Sequence, residues 1–184
     1  MEIGLDQLFR ETTRGEWGLA AFWLPPLFWR HLMADLGESP FATQDLLSVV
    51  RRYHLFLVSG TRSPASGPAQ PLPAARLRSC LILRDAAGAE QRVLKTKLPP
   101  AMKALVASLA ATLNAGKPQP FVPLLFPAET LDESPLLFPR VRGEIELIAR
   151  TLGEQEIVLR WPLTPALPEL SRPRPRRKGE VRRT

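Results

Sequence analysis

EIELIARTLGEQEIVLRW, Glu144–Trp161, is the stretch on which the fold turns. Alternation puts Ile145, Leu147, Ala149, Ile157, Leu159 and Trp161 on one face, and Glu144, Glu146, Arg150, Glu156 and Arg160 on the other, with the polar turn TLGEQ between. Side chains of a strand point alternately to its two faces, so this pattern predicts an antiparallel hairpin with one face on a core and one in water. The charged face predicts cross-strand Arg–Glu pairs.

Upstream, RLRSCLILR (76–84), the turn DAAGAE and QRVLKTK (91–97) form a second candidate hairpin. Leu77, Leu81 and Leu83 fall on one of its faces and Arg76, Arg78, Cys80, Ile82 and Arg84 on the other. YHLFLVS, Tyr53–Ser59, is rich in aliphatic and aromatic residues and stops at Gly60, which predicts a further strand.

Helical spacing appears elsewhere. Residues 2–13 carry Ile3, Leu5, Leu8 and Phe9 loosely on one side, and after Pro25–Pro26 come Phe28, Leu32, Met33 and Leu36, ending near Gly37. Thr43 suits an N-cap for a helix carrying Leu46, Leu47, Val49 and Val50 toward Arg52. Met102, Leu105, Val106, Leu109 and Leu113 predict an amphipathic helix from about Met102 to Ala115, with Pro99–Pro100 before it and Gly116 after it. The prolines recurring from Lys117 to Pro139 allow short edge strands or extended connections, not helix interiors.

The expected fold is therefore α+β: N-terminal helices and one amphipathic helix packed on a mainly antiparallel sheet of two hairpins plus Tyr53–Ser59. Residues 1–170 form one globular domain. Residues 60–75, with four prolines and two glycines, are expected to make a mobile loop.

The net charge of +7 is unevenly placed. The segment SRPRPRRKGEVRRT (171–184) holds Arg172, Arg174, Arg176, Arg177, Lys178, Arg182 and Arg183 against Glu180 alone. Residues 1–170 have 18 basic and 17 acidic groups, so the body is nearly neutral and the basicity is a tail. Pro173 and Pro175 keep that tail extended and disordered, with its cations available to a polyanion, nucleic acid first among them. Arg76, Arg78 and Arg84 add a candidate basic platform, although the exposed aromatics that single-strand binders use for stacking are missing from it.

Catalytic signatures are lacking. Neither GxGxxG nor GxxxxGK[ST] occurs, nor HExxH, GxSxG or CxxC. His31, His54 and Cys80 are the only nitrogen or sulfur candidates for a metal, too few for a structural site without carboxylates. His31 and Asp35 lie four apart on a predicted helix, but no nucleophile accompanies them. No metal, cofactor or small-molecule ligand is expected, and a non-enzymatic binding or assembly protein is. One cysteine and an N-terminus without a signal-peptide pattern point to the cytoplasm.

The run WGLAAFWLPPLFWRH, Trp17–His31, concentrates three of the four tryptophans around Pro25–Pro26. Its uncharged part, Gly18–Trp29, is too short to span a bilayer, so no transmembrane segment is expected. Two accounts remain open. The aromatics fill the core against the sheet, or Trp17, Trp23, Phe28 and Trp29 project as anchors for a protein partner or a second copy of the chain. The tail would then meet nucleic acid or, alternatively, an acidic protein surface; insertion at a membrane interface is a third possibility.

Overall fold

The computed structural model describes residues 5–37, 46–48, 50, 52–84, 88–95, 98, 100–115, 120–128, 143–150 and 156–163. The elements run α1 (Leu5–Leu8), β1 (Phe9–Arg14), β2 (Trp17–Leu24), α2 (Pro26–Asp35), β3 (Tyr53–Arg62), β4 (Gln70–Pro71), α3 (Ala74–Cys80), β5 (Leu81–Arg84), β6 (Glu90–Arg92), α4 (Pro100–Asn114), β7 (Val122–Pro127), β8 (Gly143–Ala149) and β9 (Ile157–Leu163). All strand pairs are antiparallel, and the class is α+β.

The two hairpins join into one four-stranded sheet in the order β6-β5-β8-β9. The strand that begins at Tyr53 belongs instead to a second sheet, where β3 is flanked by β2 on one side and by β4 and β7 on the other, with β1 outside β2. The sheets pack face to face. Leu19, Ala21, Trp23, Phe56, Val58, Leu124 and Phe126 from one meet Leu81, Leu83, Ile145, Leu147, Leu159 and Trp161 from the other, with Leu77 and Cys80 of α3 in the same cluster. On the far side of the β3 sheet, Phe22, Leu24, Leu55, Leu57 and Leu125 are covered by Trp29 and Met33 of α2, by Leu46, Leu47 and Val50, and by Met102 and Val106 of α4. The β3 sheet is thus buried on both faces and the hairpin sheet on one.

Several elements differ from the sequence-based expectation. Helical spacing over residues 2–13 yields only α1; residues 9–14 form β1, which pairs with β2 across Gly15–Glu16. Gly15 has φ +59, the left-handed conformation that tight hairpin turns require and glycine adopts without strain. The span 17–24 is itself a strand. Odd residues enter the inter-sheet core and even ones the helix-facing core, so it carries no alternation of polarity. β3 continues through Gly60 to Arg62. That glycine serves packing: a Cβ there would lie 2.8 Å from Leu72 Cδ1 and 2.9 Å from Leu77 Cδ2.

The expected strand over 76–80 is helical. Pro73, extended at φ −61, precedes the helix, and Leu77 and Cys80, three apart on one face, are both buried. The 60–75 segment expected as a loop therefore contributes the end of β3, the two-residue β4 and the start of α3. α2, after Pro25, agrees with expectation. Pro26 occupies the first turn of α2, and Gly37, at φ +70, follows its end. α4 extends from Pro100 to Asn114, and among the described strands β7 with its prolines pairs with β3 alone. Residues 46–48 and 50 are helical, whereas Thr43 and Gly116 lie outside the described residues.

The open sides of the sandwich are stitched. Leu94 N donates to Leu125 O at 2.7 Å, tying the chain just past β6 to β7. Opposite, Arg10 Nε donates to Arg160 O at 3.0 Å and Arg14 Nη1 to Glu156 O at 2.8 Å, so two side chains of β1 occupy backbone acceptors beside β9. Unpaired strand edges invite pairing with other chains, and these contacts blunt them.

Candidate functional site

The face of the hairpin sheet turned away from the core carries the most organised array of charge among the described residues. Register places Glu90, Arg84, Glu146 and Arg160 in one row across β6, β5, β8 and β9. Charges alternate along that row, and each neighbouring pair is bonded. Arg84 Nη2 meets Glu90 Oε1 at 2.8 Å, Arg84 Nη1 meets Glu146 Oε2 at 3.0 Å, and Arg160 Nε meets Glu146 Oε1 at 2.8 Å.

Arg150, at the far end of β8, closes the network. Its Nη1 and Nη2 take both carboxylate oxygens of Glu90, at 2.8 and 2.6 Å, while its Nε reaches Glu156 Oε1 at 2.8 Å. The two-pronged geometry matches the planar guanidinium to the carboxylate. Hydrogen bonds from Arg150 and Arg84 hold the Glu90 carboxyl below the ordinary carboxylate range, and those from Arg160 and Arg84 do the same for Glu146. The guanidinium groups of Arg84, Arg150 and Arg160 are pushed up correspondingly by the same carboxylates. Beside this row runs an apolar one, Ile82, Ile148 and Val158, with Ile148 fully buried.

Arg84, one of the candidate platform cations, therefore has its charge met by two carboxylates. Arg76 and Arg78 do not share its sheet face; both are exposed on α3. A continuous basic platform on one hairpin face is not formed, because the chain at 74–80 turns as a helix. Arg172, Arg174, Arg176, Arg177, Lys178, Arg182 and Arg183 lie outside the described residues. The alternating pattern of 144–161 already pointed to the cross-strand pairs. The part played by Glu90, which lies in a stretch read as a turn, required the two hairpins to become neighbours.

The tryptophan-rich segment resolves chiefly as core. Trp29 is wholly buried and its Nε1 donates to Leu24 O at 3.2 Å; Trp23 is 6% exposed and stacks near Phe56 with 6.5 Å between ring centroids. Phe28 is half-buried, edge-on to Trp29 at 5.5 Å. Trp17 is also half-buried, with the Arg62 guanidinium 5.2 Å from its ring centroid and Arg62 in turn paired to Glu16 at 2.9 Å. Trp23 and Trp29 are thus not available as projecting anchors. Aromatic area of this size is more valuable against two layers than in water.

His54 lies in the inter-sheet layer, its ring centroid 6.4 Å from that of Trp23. Burial depresses its imidazole to about 3. Among the described residues neither ring nitrogen has a hydrogen-bond partner, and the same holds for Trp23 Nε1 and Ser59 Oγ. His31 and Asp35 are exposed on α2, with no nucleophile placed beside them among the described residues. Cys80 is buried, and burial raises its thiol against the opposing influence of Arg76. Among the described residues no group of three or more His, Cys, Asp or Glu side chains could hold a metal ion. No helix among them is long and apolar enough to cross a membrane.

No protein-family model matches this chain, and no curated protein matches it. Among solved structures, a DUF4426 family protein from Pseudomonas aeruginosa PAO1 is similar at 10% identity and a TM-score of 0.35, covering 86% of this chain and 97% of that one.

Proposed function

We propose that this chain is a non-enzymatic binding or assembly protein. Its charge-balanced body docks on a protein partner or on a second copy, while the arginine-rich segment 171–184 engages a polyanion, namely nucleic acid. The observation that carries this reading is the division of charge. Seven of the 25 cations fall in the last fourteen residues against one acid. The arginines at the centre of the outer sheet face, Arg84, Arg150 and Arg160, are neutralised by Glu90, Glu144, Glu146 and Glu156. Phosphate contacts from a basic segment give affinity without base-specific geometry. A single, buried cysteine suits a reducing, cytoplasmic setting.

The test compares the whole chain with one ending at Leu170 for binding to DNA, RNA and heparin across a salt series. If all seven cations of the segment contact phosphates, log affinity falls against log salt with a slope of about −6, and the shortened chain loses that dependence. Equal binding by both chains rejects the reading. Weak binding to all three polyanions, together with a stoichiometric acidic protein that is lost on truncation, assigns the segment to an acidic protein surface instead.

A further inference from the structure

We propose that His54 makes the Trp23 end of the inter-sheet core an acid-triggered opening, in which proton uptake by its imidazole releases the two sheets from each other there. On β3, His54 precedes Phe56 and Val58 on the face turned toward the hairpin sheet. Around that end sit Trp23, Phe56, Phe126 and Trp161, linked by ring contacts of 5.4–6.5 Å. A protonated imidazole presents two N–H donors and a full charge to this aromatic layer, which answers neither. Among the described residues the two ring nitrogens lack partners already in the neutral state, so burial there favours the uncharged ring.

Among the described residues nothing nearby offsets the charge, and Arg52, two residues before His54, is exposed and of like sign. β2 and β7, the strands on either side of this part of β3, contain no titratable residue. On β8 and β9, Glu144, Glu146 and Arg160 point to the opposite face of the hairpin sheet, where they bond one another. On β3 itself, Tyr53 faces the helix side and Arg62 lies at the far end with Glu16. Among the described residues, burial alone moves the imidazole.

The sign follows from which state binds the proton. The unfolded or opened chain takes it up near the ordinary 6.5, whereas the closed state resists until about 3. Closure is therefore fully favoured above pH 6.5 and weakens as pH falls below it. Linkage gives about a 25-fold fall in the closed-to-open ratio between pH 7 and pH 5. The lowered carboxyls of Glu90 and Glu146 act only below the ordinary carboxylate value of 4.5, so this window belongs to the histidine.

The experiment measures closure between pH 7 and pH 5 by denaturant titration, and by hydrogen exchange at the Trp161 indole N–H and the β3 amides, in the whole chain and in His54→Leu and His54→Phe. In wild type the closed-to-open ratio should fall about 25-fold across that range, and in the variants almost not at all. Equal losses in all three proteins overturn the proposal. Should neither variant fold, NMR titration of the wild-type ring decides. A His54 imidazole still neutral in folded protein at pH 5, with indole protection, taken relative to the intrinsic exchange rate at each pH, falling as pH falls, sustains it; protonation near 6.5 without loss of that protection refutes it.

Discussion

Trp29→Ala separates a structural role for the tryptophan-rich segment from a docking role. Trp29 is 0% exposed, packs in the helix-facing core with Leu24, Met33 and Leu55, and donates its indole N–H to Leu24 O. Truncating a buried tryptophan to alanine removes transfer energy and leaves a cavity, about 3–5 kcal/mol together. That is a fifth or more of the roughly 5–15 kcal/mol by which a domain is stable. Trp29→Phe keeps an aromatic ring but leaves the Leu24 carbonyl without this donor, costing about 1–2 kcal/mol. Trp17→Ala, at a half-buried ring under Arg62, should cost about 1–2 kcal/mol, of which the cation–π contact supplies about 0.5–1. Guanidinium unfolding followed by far-UV circular dichroism measures all three; midpoints should fall in the order Trp29→Ala, then the two milder variants. A Trp29→Ala protein with wild-type stability that had lost only partner binding would falsify the core assignment.

Gly60→Ala should destabilise by about 1–3 kcal/mol through overpacking, because its Cβ meets Leu72 and Leu77 inside contact distance. Pairing it with Leu72→Ala should recover part of that loss in a double-mutant cycle. Glu146→Gln removes the negative charge shared by Arg84 and Arg160 and turns one of its two acceptor oxygens into a donor, so it should lower stability at pH 7 and flatten the acid side of the stability curve below pH 4.5. The sign is fixed by linkage: a carboxyl held below its ordinary value stabilises above 4.5 and loses that contribution as pH falls through the folded value. Thermal melts from pH 7 to pH 3 would show it, and identical curves for wild type and variant would remove Glu146 from the account. High salt should reduce the same contribution, since these groups are near the surface.

Legibility in the sequence varied with how many faces of an element are buried. The Glu144–Trp161 hairpin carries its charges on the face turned away from the core, so polarity alternated and both faces could be assigned, except that Ile148 and Val158 interrupt the charged face and Ile148 is buried there. α2 and α4 have one covered face and helical spacing that announces it. β2 touches two cores, and its uniform apolar run lacked the period that marks a strand. β1 was mistaken for helix because Leu5, Leu8 and Phe9 mimic helical spacing, although the Gly15–Glu16 turn before Trp17 was the available hairpin signal. The 76–80 segment alternates like a strand and coils as a helix because Pro73 begins it and Leu77 and Cys80 find the same core.

By itself the sequence determined the class, the hairpin faces, the charge division between body and terminal segment, and the absence of familiar catalytic patterns, since all of these follow from local spacing and composition. Only tertiary structure decided that the strands divide into two facing sheets and that Trp23 and Trp29 serve the core. It also decided that Glu90 and Arg150, sixty residues apart, become partners. Such choices depend on which layer lies opposite a residue, and contact between distant segments is a property of the packed chain that no short window of sequence contains.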